Sequence, residues 1–235
     1  MTERLHTAQA TILDILRHTQ EARFSALMRP TGMTSDTFKF HLQKMTRLGY
    51  VYRTAAGGYQ LTAAGKEFAN NIDDQELQRQ RQPKLSILII VSKPSSDGQR
   101  TYLFQQRKRN PFYNWWGLLS GPAQWGEAIE ETAARELHKQ TGLKATCTVR
   151  SFYRQRNYSK DTNQLLEDKL FAIVEATDIQ GEPQNTWPGG HNQWMTLIEY
   201  KQQTHHFDSD LPALAALQSA QPFTAQDIQY DTQAY

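Results

Sequence analysis

Between Asn70 and Lys84 the chain reads NNIDDQELQRQRQPK, polar throughout, with no apolar period and a proline near its end. Such a stretch has almost nothing to bury, so the 235 residues are expected to build two separate cores, one on each side of it. Ahead of it the apolar spacing is helical. Behind it, residues 85–92 and 102–107 read as strands joined by a Pro-Ser-Ser-Asp-Gly turn. The expected division is a first domain at 1–72, a linker at 73–83 and a second domain at 84–235, an α+β chain whose fold type changes at the linker. No internal repeat suggests a solenoid or propeller.

Bulk properties narrow the setting. With 38% hydrophobic and 21% charged residues the chain has the composition of a soluble protein. Its longest apolar run, residues 85–91, is far short of the roughly 20 residues that span a bilayer. The opening MTERLHTAQATILDIL carries acidic residues and no small-residue cleavage site, so it does not read as a secretory signal. The single cysteine, Cys147, cannot form an internal disulfide. These features lead us to expect a cytoplasmic protein with no membrane partner. Net charge is +2; residues 1–80 hold ten Lys/Arg against eight Asp/Glu, whereas 81–235 hold sixteen of each. The positive excess thus lies in the first third, although at this size it is uninformative alone.

In the first domain, Leu5, Ala8, Ile12, Ile15 and Leu16 follow a three/four spacing that predicts a helix over about 7–18. Phe24, Leu27 and Met28 give a short second helix, broken by Arg29-Pro30-Thr31-Gly32. Thr34 or Ser35 can cap a third helix reaching Leu48, which Gly49 ends. On that third helix Phe38, Leu42 and Met45 share one side, while Asp36, Lys39, Phe40, Gln43, Lys44 and Arg47 share the other. Residues 50–53 and 59–62 then make a β-hairpin whose turn contains Gly57 and Gly58, expected to supply its positive φ angles.

Through "TSDTFKFHLQKMTRLGYV" and "GGYQLTAAGKEF", residues 7–72 resemble bacterial winged helix-turn-helix regulators of the ArsR and MarR kind. The resemblance implies that the third helix enters the major groove of double-stranded DNA. Ser35, Thr37, Lys39, Phe40, Gln43, Lys44 and Arg47 are then the candidate contacts, with Arg53 on the wing near phosphates. Gln43 suits an adenine edge and Phe40 a thymine methyl. A homodimer is implied as well, since two recognition helices must meet successive major grooves.

The most informative stretch is Gly121-Pro-Ala-Gln-Trp-Gly-Glu127, seven residues, then Arg135-Glu136-Leu137-His138-Lys139-Gln140-Thr141-Gly142-Leu143. It resembles the Nudix box, with Gly121, Glu127, Arg135, Glu136, Leu137, Gly142 and Leu143 in register; Trp116-Gly-Leu ahead of the box and Gln193-Trp-Met-Thr-Leu behind it fit as well. The resemblance implies a Nudix α/β/α sandwich. It also implies a helix that offers three glutamates at i, i+3 and i+4 to a divalent cation. Here those places hold Glu136, Lys139 and Gln140, which moves the local charge by about three units towards positive. A hard cation such as Mg²⁺ should bind poorly, so no catalytic residue, resident metal or required cofactor is expected. Lys139 can instead face a diphosphate directly or form an i, i+3 ion pair with Glu136, and Arg135 can grip phosphate or brace the loop.

Arg107, Trp116, Arg135, Glu136, Lys139, Gln140 and Arg154 are the candidate ligand-binding residues; Arg109, Tyr113, Trp115 and Phe152 are weaker ones. Taken together, the two parts resemble Nudix-related transcription regulators, some of which sense ADP-ribose, with the parts in the opposite order. They imply a regulator that responds to a small nucleotide-derived ligand. The alternative left open is a divergent pyrophosphohydrolase in which Glu136 still holds Mg²⁺ with help from Glu167, Asp168 or Glu175; Glu130 and Glu131 point away from Glu136 on the helical wheel. The region from Gln202 onward predicts one helix near 211–219 and a polar tail.

Overall fold

The computed structural model describes residues 5–72, 81–217 and 221–231 and divides into two units, Met1–Arg81 and Gln82–Tyr235. Most of the expected linker, residues 73–80, lies outside the described residues.

The first unit holds α1 (Thr7–His18), α2 (Phe24–Met28), a 3₁₀ turn (Arg29–Thr31), α3 (Ser35–Arg47), the antiparallel hairpin β1 (Val51–Arg53) and β2 (Tyr59–Leu61), and α4 (Ala63–Asn70). Its core joins Ile12, Leu13 and Leu16 of α1 to Leu27, Phe38, Leu42, Met45 and Val51. The apolar stripe read from the sequence is rotated slightly: Leu13 is fully buried, while Leu5 and Ile15 are only half-buried. Neither expected cap bonds the start of α3, because the Thr34 hydroxyl is engaged by that of Thr37 at 2.9 Å. In the hairpin turn only Gly57 has positive φ, at +84°; a Cβ at Gly58 would displace the Glu21 carboxylate, which packs against it.

The second unit holds β3 (Lys84–Pro94), β4 (Arg100–Arg107), β5 (Trp116–Pro122), α5 (Ile129–Thr141), β6 (Lys144–Ser159), β7 (Leu165–Gln180), β8 (Thr186–Trp187), β9 (Gly190–Met195), α6 (Leu197–Lys201), α7 (Asp210–Ala216) and β10 (Phe223–Tyr230). The strands form one mixed sheet in the order β10-β6-β7-β3-β5-β4-β9-β8, with β3 also paired to β4. β7 runs parallel to β3 and β10 parallel to β6, while the other neighbours are antiparallel. Ala133 and Leu137 of α5 cover one face, on Ile87, Ile89, Leu119 and Val174. Tyr200 of α6 and Ala213 and Leu214 of α7 join the other face, on Leu88, Phe104, Leu118 and Ile173. The expected polar tail is corrected here: residues 223–230 add a strand to the sheet edge, where the backbone groups that face β6 pair along it.

Candidate functional site

The glycine that opens the box-like motif sits where β5 meets α5. A Cβ on Gly121 would lie 2.6 Å from Cγ of Glu136, so glycine leaves the space that the buried Glu136 side chain fills. α5 ends at Gly142, in the left-handed conformation that closes a helix. Between them the motif forms a dense ionic cluster. Arg135 donates from Nε and Nη2 to both oxygens of Glu127 at 2.8 Å, and from Nη1 to Glu136. The guanidinium holds the Glu127 carboxyl down to about 2, and the two carboxylates push Arg135 above its ordinary range. Of the two readings offered by the sequence, Arg135 therefore braces the loop.

Glu136 is 3% exposed and heavily partnered. Gln140 donates to its Oε2 at 2.8 Å and Lys139 Nζ stands 3.4 Å from Oε1. Burial alone would lift the Glu136 carboxyl, but the hydrogen bonds from Gln140 and Arg135 and the charge of Lys139 outweigh it and hold it below the usual carboxylate range. Gln140, itself 1% exposed, also donates to the Ser120 carbonyl at 3.0 Å and accepts from Gln105 at 3.2 Å; Gln105 continues to Asn192 at 2.9 Å. A buried amide, Gln140, and an exposed ammonium, Lys139, thus stand in two of the three places where the box resemblance implies carboxylates. A divalent cation does not fit this donor set, since every oxygen of Glu136 faces a hydrogen-bond donor or a cation. Among the described residues no group of three or more His, Cys, Asp or Glu is arranged to hold a metal ion.

Beside this cluster, and sharing Gln105, Ser120 and Gly121 with it, lies a cavity of about 230 Å³. Its cations are Lys84, Arg107, Arg109 and Lys169, and its carboxylates are Glu167 and Asp210. The buried amides Gln155 and Asn157 and the rings of Phe112, Phe171 and Phe207 complete much of the wall. Strand register assembles it: Lys84 pairs with Lys169 across β3 and β7, Lys169 with Gln155, and Glu167 with Asn157 across β7 and β6. Burial lowers the Lys169 ammonium while Glu167, 2.7 Å away, opposes that shift. Burial also lowers Arg107, helped by Arg109 and opposed by Glu167 and Asp210. Asp210 accepts from the Leu118 amide at 2.6 Å and the Tyr200 hydroxyl at 3.1 Å, yet burial still pushes it up to about 7.

Of the seven expected ligand-binding residues, only Arg107 lines this cavity. Arg135, Glu136, Lys139 and Gln140 stand together on or beside α5, next to it. Trp116 lies in the core, 8% exposed and packed with Leu88, Phe104 and Leu118. Arg154 lies off the cavity by parity. Successive strand residues face opposite sides, so Arg154 pairs with Asp168 at 2.8 Å on the outer face while Gln155 points to the cavity. The acids once considered for metal rescue also have other partners, Glu167 with Asn157 and Lys169, Asp168 with Arg154, and Glu175 with Arg150. Lys169, Gln155, Asn157, Asp210 and Lys84 were missed. Gln155, Asn157 and Lys169 lie in polar runs of β6 and β7 whose inward members are set only when the strands are paired, and Lys84 and Asp210 come from β3 and α7.

In the first unit, the eight residues expected to meet DNA separate cleanly from the core. Ser35, Thr37, Lys39, Phe40, Gln43, Arg47 and Arg53 are exposed, Lys44 is half-buried, and Phe38, His41, Leu42 and Met45 are buried. Phe40 is 56% exposed. A cleft between α3 and the hairpin is lined by Phe24, Lys39, Leu42, Gln43, Thr46, Arg53, Gly57 and Tyr59.

A family profile for the NUDIX domain matches residues 83–217, more than half of the chain. The chain belongs to the NUDIX family. A search of curated proteins finds no match. Among solved structures it is similar to the mutator MutT protein of Bacillus halodurans, with 20% identity over 65% of this chain and 93% of that one and a TM-score of 0.49. The NUDIX domain of Shewanella oneidensis NrtR, solved with ADP ribose, shows 21% identity over 67% and 97% and a TM-score of 0.49. The MutT NUDIX hydrolase of Burkholderia pseudomallei shows 23% identity over 58% and 99% and a TM-score of 0.47. No helix among the described residues is long and apolar enough to cross a membrane.

Proposed function

We propose that this NUDIX protein is a cytoplasmic DNA-binding transcription regulator whose second unit binds a nucleoside-diphosphate-type metabolite, ADP-ribose being the leading example, without hydrolysing it. The observation that carries the receptor half is the engagement of Glu136 by Arg135, Lys139 and Gln140. Phosphoanhydride hydrolysis in this setting needs a cation to activate water and to stabilise charge developing on the phosphates. An internal amide network beside the cavity removes that function and leaves a cation-rich pocket able to hold a diphosphate.

The DNA half is read as a winged helix-turn-helix, with α3 in the major groove and the β1–β2 hairpin as the wing. The clean division of α3 into a buried and an exposed face supports it, as does the placement of Lys39 and Arg53 on two walls of one cleft. A homodimer would present two such helices to an operator, and ligand would alter DNA affinity only by binding the DNA-competent and incompetent states unequally. Calorimetric titration with ADP-ribose, with and without Mg²⁺, tests the receptor half when the same samples are assayed for product. Binding without turnover is expected. Turnover that depends on Mg²⁺ would overturn the reading in favour of a divergent pyrophosphohydrolase.

A further inference from the structure

The acceptors in the cavity wall are only half used. Glu167 Oε2 takes hydrogen bonds from Asn157 and Lys169, and Asp210 Oδ2 takes them from Leu118 and Tyr200. The Gln155 amide nitrogen donates to Asn157 at 2.8 Å. Among the described residues nothing donates to Glu167 Oε1, Asp210 Oδ1 or Gln155 Oε1. Glu167 Oε1 and Gln155 Oε1 therefore await a donor, while Asp210 Oδ1 can accept one or, when protonated, donate. A carboxylate or a fully ionised phosphate ester supplies no donor, and a cationic amine is disfavoured by the four cations of the same wall. Sugar hydroxyls both donate and accept, so they suit all three.

The wall is also graded. Gln155, Asn157 and Asp210 are buried, whereas Lys84 and Arg109 are exposed. Phe112 and Phe207 leave no slot for a base between them: they already pack edge to face at 5.1 Å, less than the roughly 7 Å that a ring held between two others requires. From this arrangement we infer that the cavity takes a sugar phosphate with its hydroxylated ring innermost, against Gln155, Glu167 and Asp210, and its phosphate outward, towards Lys84, Arg107 and Arg109.

This orientation rests on the receptor reading of the NUDIX unit, and the test separates the two. The full-length chain is titrated calorimetrically with ADP-ribose, ribose 5-phosphate, 2-deoxyribose 5-phosphate, AMP and inorganic phosphate. Ribose 5-phosphate is expected to bind at least tenfold more tightly than inorganic phosphate and to lose about tenfold on removal of the 2-hydroxyl. Glu167→Gln and Gln155→Met, with folding checked by thermal melting, should each weaken ribose 5-phosphate severalfold and leave inorganic phosphate unchanged. AMP binding more tightly than ribose 5-phosphate and indifferent to Glu167→Gln would mean that a base enters first, which overturns this inference and leaves the receptor reading standing. So would ADP-ribose binding that neither variant nor the deoxy sugar affects. Silence towards every ligand, ADP-ribose included, would overturn both.

Discussion

The two units place part of their positive charge differently. In the NUDIX unit, Arg135, Arg154, Arg156 and Lys169 each meet a carboxylate within 2.8 Å. In the first unit, Lys39, Arg47 and Arg53 form no ion pair among the described residues, and two of them flank one open cleft. A cation neutralised inside its own domain supports a wall, whereas one left in water at a surface remains available to an external polyanion. The difference teaches that a net charge of +2 conceals two arrangements of charge, one in which cations are cancelled and one in which they are not.

The largest expected effect breaks that contrast on the exposed side. Lys39→Ala with Arg53→Ala should weaken DNA binding on the order of 100-fold at low salt and reduce the slope of log affinity against log salt by about two, whatever the DNA sequence. Fluorescence anisotropy across a salt series reads this, and ADP-ribose binding by the same variant should not move. An unchanged slope would remove Lys39 and Arg53 from the interface.

On the buried side, Lys139→Glu with Gln140→Glu puts like charges around Glu136 and leaves Gln105 and the Ser120 carbonyl without their Gln140 partner. The NUDIX unit should lose about 1–3 kcal/mol and regain part of it in Mg²⁺. All five tryptophans lie at or beyond position 115, so their fluorescence follows the melting of this unit alone. A variant as stable as the parent, and blind to Mg²⁺, would mean that the amide network contributes little.

Smaller effects concern pH, and the units should respond with opposite sign. Asp210 is raised from its ordinary 3.8 to about 7 in the fold, so the stability it contributes is full below 3.8 and lost as pH rises through 7. Asp210→Asn should flatten that part of the tryptophan-detected Tm against pH; an unaltered profile would mean that the carboxyl is ionised throughout. His41 is buried and stacks on His6 at 4.1 Å, and burial, His6 and Lys44 lower it from 6.5. Its contribution is present above pH 6.5 and lost as pH falls below it, the smallest effect of the series. Histidine NMR titration of the chain checks it, and a His41 midpoint at or above 6.5 would contradict it.

Much of the architecture was legible because its signals are local. The three/four spacing of Ile12 and Leu16 and the two-sided wheel of α3 state where helices run and which face they bury. The spacing from Gly121 to Leu143 sets out a loop, a helix and its close approach to a strand within one stretch of chain. From those residues alone followed the change of fold type after Asn70, the substituted carboxylates at Lys139 and Gln140, and two readings of Lys139, of which the ion pair with Glu136 is present.

The cavity was not legible, since its members come from strands and a helix far apart in sequence. Lys84 stands beside Lys169 only through the parallel register of β3 and β7, and Asp210 reaches the wall only from α7. Which of two adjacent residues faces inward is a matter of parity, and parity is set by pairing partners elsewhere in the chain. Arg154 and Gln155 are equally polar as text, and pairing sends one to Asp168 and the other to the cavity. The same holds for residues 223–230, a polar tail until β6 offers them a ladder of hydrogen bonds. By itself, then, the sequence determined the division into two units, the helical faces and the altered chemistry of the box helix, because each rests on neighbours within a few turns. The position of the cavity wall, its acceptors and the sealing of Trp116 in the core were decided only by tertiary structure, because register and burial are properties of how distant segments meet.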